Sequence, residues 1–133
     1  MVSKFEGTKK EWTALFGKEL FKVEKEGFDL YIPNTNTNSY GCFLVDSIHG
    51  HDCVAYDSKS VHHYYILDGN GTFEVAGKKV DVSSGCVVSI NPNEVFYYSG
   101  TMKMVEEIIP NFDEKNFHVV EKISYDSKKV RKG

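Results

Sequence analysis

From Phe43 to Ile123 the chain is cut into short β-forming runs by Gly, Asn and Pro at close, regular intervals. No stretch in this region alternates strands with long amphipathic helices, so a doubly wound α/β arrangement is excluded. Closely spaced strands with turn residues between them predict an all-β sandwich or barrel. The expected strands are Phe28–Ile32, Phe43–Ile48, Asp52–Tyr56, His62–Leu67, Thr72–Ala76, Lys79–Val82, Cys86–Ile90, Glu94–Tyr98, Met102–Ile109 and Phe117–Ile123. The run Asp68-Gly69-Asn70-Gly71 is expected to be a tight hairpin turn, and Ser99-Gly100 another turn. Ahead of the strands, Trp12, Leu15, Phe16, Leu20, Phe21 and Val23 fit a short helical or irregular segment, with Gly17 weakening a helix.

A chain of 133 residues suits one domain, and 41% hydrophobic residues suffice to build its core. The expected division is an N-terminal arm with the first strand over 1–40, a barrel over 41–124 and a polar tail over 125–133. Lys128, Lys129, Arg131 and Lys132 sit in that tail and read as solvated charge. The net charge of −3 gives no basic surface for a nucleic-acid backbone. No segment has the length of a membrane span, and no signal peptide is read at the N-terminus. Cys42, Cys53 and Cys86 form no CxxC pair. An odd number of cysteines without metal spacing suggests reduced thiols and a cytoplasmic setting.

The segment HHYYILDGNGTFEVAGKKVDVSSGCVVSINPNEVFYY resembles the two motifs of the cupin family and the hairpin between them. The family pattern is G(X)5HXH(X)3–4E(X)6G followed by G(X)5PXG(X)2H(X)3N. Gly69 matches the closing glycine of the first motif and Gly85 the opening glycine of the second. The stretch MKMVEEIIPNFDEKNFHVVE is similar to the end of many small bacterial cupins. The resemblance implies an all-β cupin jelly-roll barrel, commonly dimeric, with a metal held by three histidines and a carboxylate. In this chain the glutamate position falls on His62, the HXH pair near Tyr56-Asp57-Ser58, the second-motif histidine on Phe96 and its glycine on Asn93. A lone imidazole does not hold a divalent ion, so neither metal nor cofactor is expected.

Because the family's glutamate points into the barrel, alternation puts His62, Tyr64 and Ile66 inside and His63, Tyr65 and Leu67 outside. The same parity places Phe96 and Tyr98 inside. On the Met102–Ile109 strand either Met102, Met104, Glu106 and Ile108 or Lys103, Val105, Glu107 and Ile109 face inward; Lys103 does not suit a barrel interior, so the first set is expected there. Tyr56, with Ser58, is expected to reach the same space. The expected ligand-binding set is therefore Tyr56, His62, Tyr64, Phe96, Tyr98, Met104 and Glu106, an aromatic cavity with few polar groups.

Three functions remain open at this level. The first is metal-free binding of a small molecule in that cavity. The second is a metal-independent isomerase, epimerase or lyase, with His62 and Glu106, or His62 and a tyrosine, as catalytic acid and base. The third is a metalloenzyme whose ligands are relocated to His49 and His51, joined by His62 or His63 and Glu106. No GxSxG, P-loop or HExxH motif is present. Cys86, at the family's aspartate position, has no histidine partner at a telling spacing and reads as a half-buried thiol. A homodimer is expected, with the N-terminal aromatic residues at or near its interface.

Overall fold

A computed structural model describes residues 20–33 and 36–125. The N-terminal aromatic segment up to Phe16 and the lysine-rich end lie outside these residues. Among the described residues nine strands follow in chain order: β1 Leu20–Glu24, β2 Phe28–Pro33, β3 Gly41–Ser47, β4 Cys53–Asp57, β5 Val61–Val75, β6 Lys78–Ser83, β7 Val87–Ile90, β8 Phe96–Ile109 and β9 Phe117–Lys122. A single 3₁₀ turn, Glu114–Asn116, precedes β9 and is capped by the Asp113 side chain. The described residues thus form the all-β architecture expected from the turn spacing.

The sheet order runs β1-β2-β3-β8-β4-β9, and β5 pairs with β6, β7 and β8. Every pairing is antiparallel. The long strand β8 holds the sheet together, because β3, β4 and β5 all pair with it. Its inward residues Phe96, Tyr98, Met102, Met104, Glu106 and Ile108 are buried, while the residues between them are more exposed. Phe96, Tyr98, Met102 and Met104 pack with Tyr64, Ile66 and Phe73 of β5, Val45 of β3 and Phe28 of β2 into one core. Aromatic rings dominate it. Tyr64, Phe73 and Tyr98 stand with centroids 5.1–5.5 Å apart, tilted as ring quadrupoles prefer.

Two expected turns are absent. Asp68-Gly69-Asn70-Gly71 lies inside β5, which continues to Val75 and turns only at Ala76-Gly77. Ser99-Gly100 likewise lies inside β8. The reason is close approach between the two long strands. Gly71 is paired with Gly100, and a Cβ on Gly100 would stand 2.6 Å from the Gly71 Cα. Near this crossing the register also shifts, between Ile66 and Asp68. These glycines mark a bend in two continuous strands, a use of strand glycine that sequence alone does not separate from a hairpin.

Candidate functional site

His62 sits on β5 with both ring nitrogens occupied. Its Nδ1 is hydrogen-bonded with Oε2 of Glu106 at 2.9 Å, and its Nε2 with Oδ2 of Asp57 at 2.9 Å. The other oxygen of Asp57 accepts the backbone N–H groups of Lys59 and Ser60, each at 2.9 Å. This turn between β4 and β5 fixes the carboxylate before it meets the imidazole. All three side chains of the Asp57–His62–Glu106 row are buried. Burial opposes a charge on His62, but the hydrogen bonds and charges of Glu106 and Asp57 outweigh it and raise the imidazole above its ordinary value. The row therefore favours the charged form of the imidazole.

His51 is the second buried imidazole. Its ring stacks on Phe96 at 5.4 Å and tilts against Tyr98 at 5.1 Å. Nδ1 donates to the Cys53 carbonyl oxygen at 2.7 Å, which leaves the Nε2 lone pair available in the neutral ring. Burial lowers its pKa, so this imidazole is neutral at neutral pH. The turn that carries it is held from both sides. Ile48, His49 and Gly50 all donate their backbone N–H groups to the Gly27 carbonyl. Tyr125 donates its hydroxyl to the His51 carbonyl oxygen at 3.0 Å, and its ring stacks on His49.

These groups line one cavity of about 610 Å³. Its wall contains His51, His62, Tyr64, Phe96, Tyr98 and Glu106, with Phe28, Phe43 and Ile108 adding apolar surface. Lys25, Asp52 and Glu114 add charged groups to the lining. Burial first, and then the Glu106 carboxylate, push the Tyr64 and Tyr98 hydroxyls well above the usual phenol range. Both are proton-bearing donors at neutral pH.

The sequence-derived set is thus brought together except at two positions. Met104 is fully buried but belongs to the core and not to the cavity wall. Tyr56 faces away from the cavity and stacks on His118 at 4.8 Å. On β4 the inward residues are Cys53, Ala55 and Asp57, with Val54 and Tyr56 on the other side. Choosing the four-residue spacing of the first cupin motif, in place of three, moves the HXH pair to Ala55 and Asp57 and reverses every side chain on the strand. Sequence reasoning missed Asp57 for this reason. It also set His51 aside as part of a surface turn or a metal set.

The cupin resemblance implies a metal at four positions, now Ala55, Asp57, His62 and Phe96. The donors there do not fit one. Ala55 and Phe96 are direct cross-strand partners and offer no lone pair. Asp57 and His62 are bonded to each other, and both nitrogens of His62 are engaged by carboxylates. Nor does the relocated set assemble: His49 is exposed beside Tyr125, and His63 bonds Ser89 on the outer face. Among the described residues one other trio, His51, Asp52 and Cys53, brings three potential ligand atoms within 4.8 Å of one another. There His51 Nδ1 is committed to a carbonyl, and burial with the Asp52 charge pushes the Cys53 thiol up to about 12. No thiolate is offered at neutral pH.

No family model and no curated protein sequence matches the chain. Solved structures do. The chain is similar to the nucleoside dehydratase Pac13 at 25% identity, covering 92% of this chain and 95% of that one, with a TM-score of 0.75. Structures of Streptomyces Pac13 with uridine include a histidine-to-glutamine variant and two tyrosine-to-phenylalanine variants, each 24% identical to this chain. KdgF from a Halomonas species is 16% identical over 74% of this chain and 92% of its own, with a TM-score of 0.63. An RmlC-like cupin from Shewanella frigidimarina is 12% identical over 74% and 88%, with a TM-score of 0.61. Among the described residues no helix is long and apolar enough to cross a membrane. With strand order, inward residues and these neighbours in agreement, the chain has a cupin-type fold.

Proposed function

We propose that this protein is a lyase that eliminates water from a nucleoside-like small molecule held in the aromatic cavity. The observation that carries the reading is the meeting of His51, Tyr64 and Tyr98 in one cavity. The histidine and two tyrosines replaced in the uridine-bound Pac13 variants follow one another at the same chain intervals as these three residues.

The geometry suits elimination. The neutral His51 ring has Nε2 available as a base, while Nδ1 is anchored. In the proposed step Nε2 takes a proton from carbon, the electron pair forms a carbon–carbon double bond, and the hydroxyl on the adjacent carbon departs. A phenol of Tyr64 or Tyr98 donates the proton that makes the leaving group water. An imidazole removes a carbon-bound proton efficiently only where a neighbouring carbonyl acidifies it, so the substrate is expected to carry one. Glu106, placed by His62, faces the same space as an anion able to accept a substrate hydroxyl. In this reading His62 acts through Glu106, because both its nitrogens are already engaged.

The test is uridine binding by calorimetry, followed by mass spectrometry of nucleosides oxidised to carbonyl compounds. Loss of one water from substrate, absent in His51→Gln, supports the lyase. Saturable uridine binding with no turnover of any such nucleoside would make the protein a binding module instead. Absence of both would remove the nucleoside reading.

A further inference from the structure

We propose that the His62 imidazolium, pinned between Asp57 and Glu106, stands in the place of the cupin cation and supplies a fixed positive charge there. Asp57 is the positioning residue that keeps the second proton on the ring. Two of the family's four ligand positions, Asp57 and His62, hold ligating residue types, yet they face each other at 2.9 Å with no room for an ion between them. The other two positions hold a methyl and a phenyl group, which close the space with apolar surface. The ring lies against Phe96 and Phe117, at 5.8 and 6.4 Å between centroids. A cation in these surroundings persists only if anions flank it, and two do.

The groups facing His62 are few. Asp57 comes from β4 and Glu106 from β8, while His51, neutral, stands nearby ahead of β4. With His62 charged, the row sums to one negative charge, and Glu106 is the member that stands beside Tyr64. Anchoring one oxygen of Glu106 on His62 orients the carboxylate toward the cavity. The catalytic meaning of this device rests on the proposed elimination. The charge state of His62 does not.

The two are separable by experiment. Full-length protein carrying ¹⁵N-histidine is examined without ligand by long-range proton–nitrogen NMR, from about pH 6 to about pH 8 around the ordinary histidine value. His62 is identified by loss of its signals in His62→Gln. The expected result is a His62 protonated on both nitrogens throughout. In Asp57→Asn the amide oxygen still accepts from Lys59 and Ser60, but its NH₂ donates to Nε2. That ring is expected to become neutral, keep its proton on Nδ1 and titrate at lower pH. A neutral His62 at pH 7 in the unaltered protein would overturn the proposal. So would an unmoved titration in Asp57→Asn, or stoichiometric binding of Mn²⁺, Ni²⁺ or Zn²⁺ that perturbs the His62 signals. A charged His62 in a protein that turns over no nucleoside would leave this inference standing and remove the proposed reaction. A neutral His62 in an active lyase would do the reverse.

Discussion

Nε2 of His62 lies 2.9 Å from Oδ2 of Asp57, and each of the two side chains is only 2% exposed. Breaking a buried charge pair leaves an uncompensated ion and costs about 3–5 kcal/mol. His62→Leu leaves two carboxylates, Asp57 and Glu106, facing an apolar group. It is expected to destabilise the fold by about that amount in urea denaturation. The contribution of His62 is lost as pH rises through its raised value, so the gap from the unaltered protein is expected to narrow in alkali. A gap that stays constant with pH would mean the loss comes from packing alone.

His51 and His62 are expected to shape stability against pH in opposite directions. Burial lowers the pKa of His51 in the folded chain. The unfolded chain then binds the proton better, so this contribution is complete above about pH 6.5 and falls as pH drops below it. His62 is raised, its carboxylate partners overcoming the cost of burial. Its contribution is complete below about pH 6.5 and is lost as pH rises through the raised value. His51→Phe is expected to flatten the acid side of the stability curve, and His62→Gln the alkaline side. Thermal unfolding over a pH series reads both.

For the proposed elimination, His51→Gln removes the base but keeps a polar side chain in the cavity. General base catalysis contributes typically about 10²–10⁴-fold. A loss of that size in turnover number, with KM little changed, is the expected result. A rise in KM alone would assign His51 to binding.

Gly85 and Gly100 offer a controlled comparison. Both have positive φ, at +95° and +122°, but an added Cβ meets nothing within 4 Å at Gly85 and backbone at 2.6 Å at Gly100. Gly85→Ala is expected to cost about 1–2 kcal/mol, from conformation alone. Gly100→Ala is expected to cost more, because β5 and β8 must also separate. Equal losses in chemical denaturation would remove the close-approach account of the strand bend.

Tyr125 tests how the His51 turn is held. Removing its hydroxyl deletes a donor to the His51 carbonyl and a partner of the Tyr97 hydroxyl, 2.6 Å away. Tyr125→Phe is expected to cost about 1 kcal/mol in stability. Hydrogen exchange is expected to quicken between His49 and Cys53 in particular.

The turn residues and the β-forming runs were enough to establish an all-β barrel, because strand length and punctuation are local properties of the chain. Alternation from the motif positions His62 and Phe96 also put Tyr64 and Tyr98 on the inner side, and keeping Lys103 out of the interior added Glu106, since period two carries along any unbroken strand. That logic stops at an irregularity. On β4 the register shifts between Val54 and Ala55, and the short link to β5 allows two spacings, so Tyr56 and Asp57 were interchangeable on paper. Only the cross-strand pairing of Ala55 with Phe96 decided that Asp57 faces inward. Only tertiary packing, too, turned the Gly69–Gly71 stretch from a hairpin into a bend and placed His51 on Phe96. Glu106 meets His62 across 44 positions of sequence, a contact that no local pattern encodes. The sequence by itself determined a cupin barrel with an aromatic interior. The pairing of distant strands decided that His62, bonded to two carboxylates, fills the place where the resemblance implies a metal.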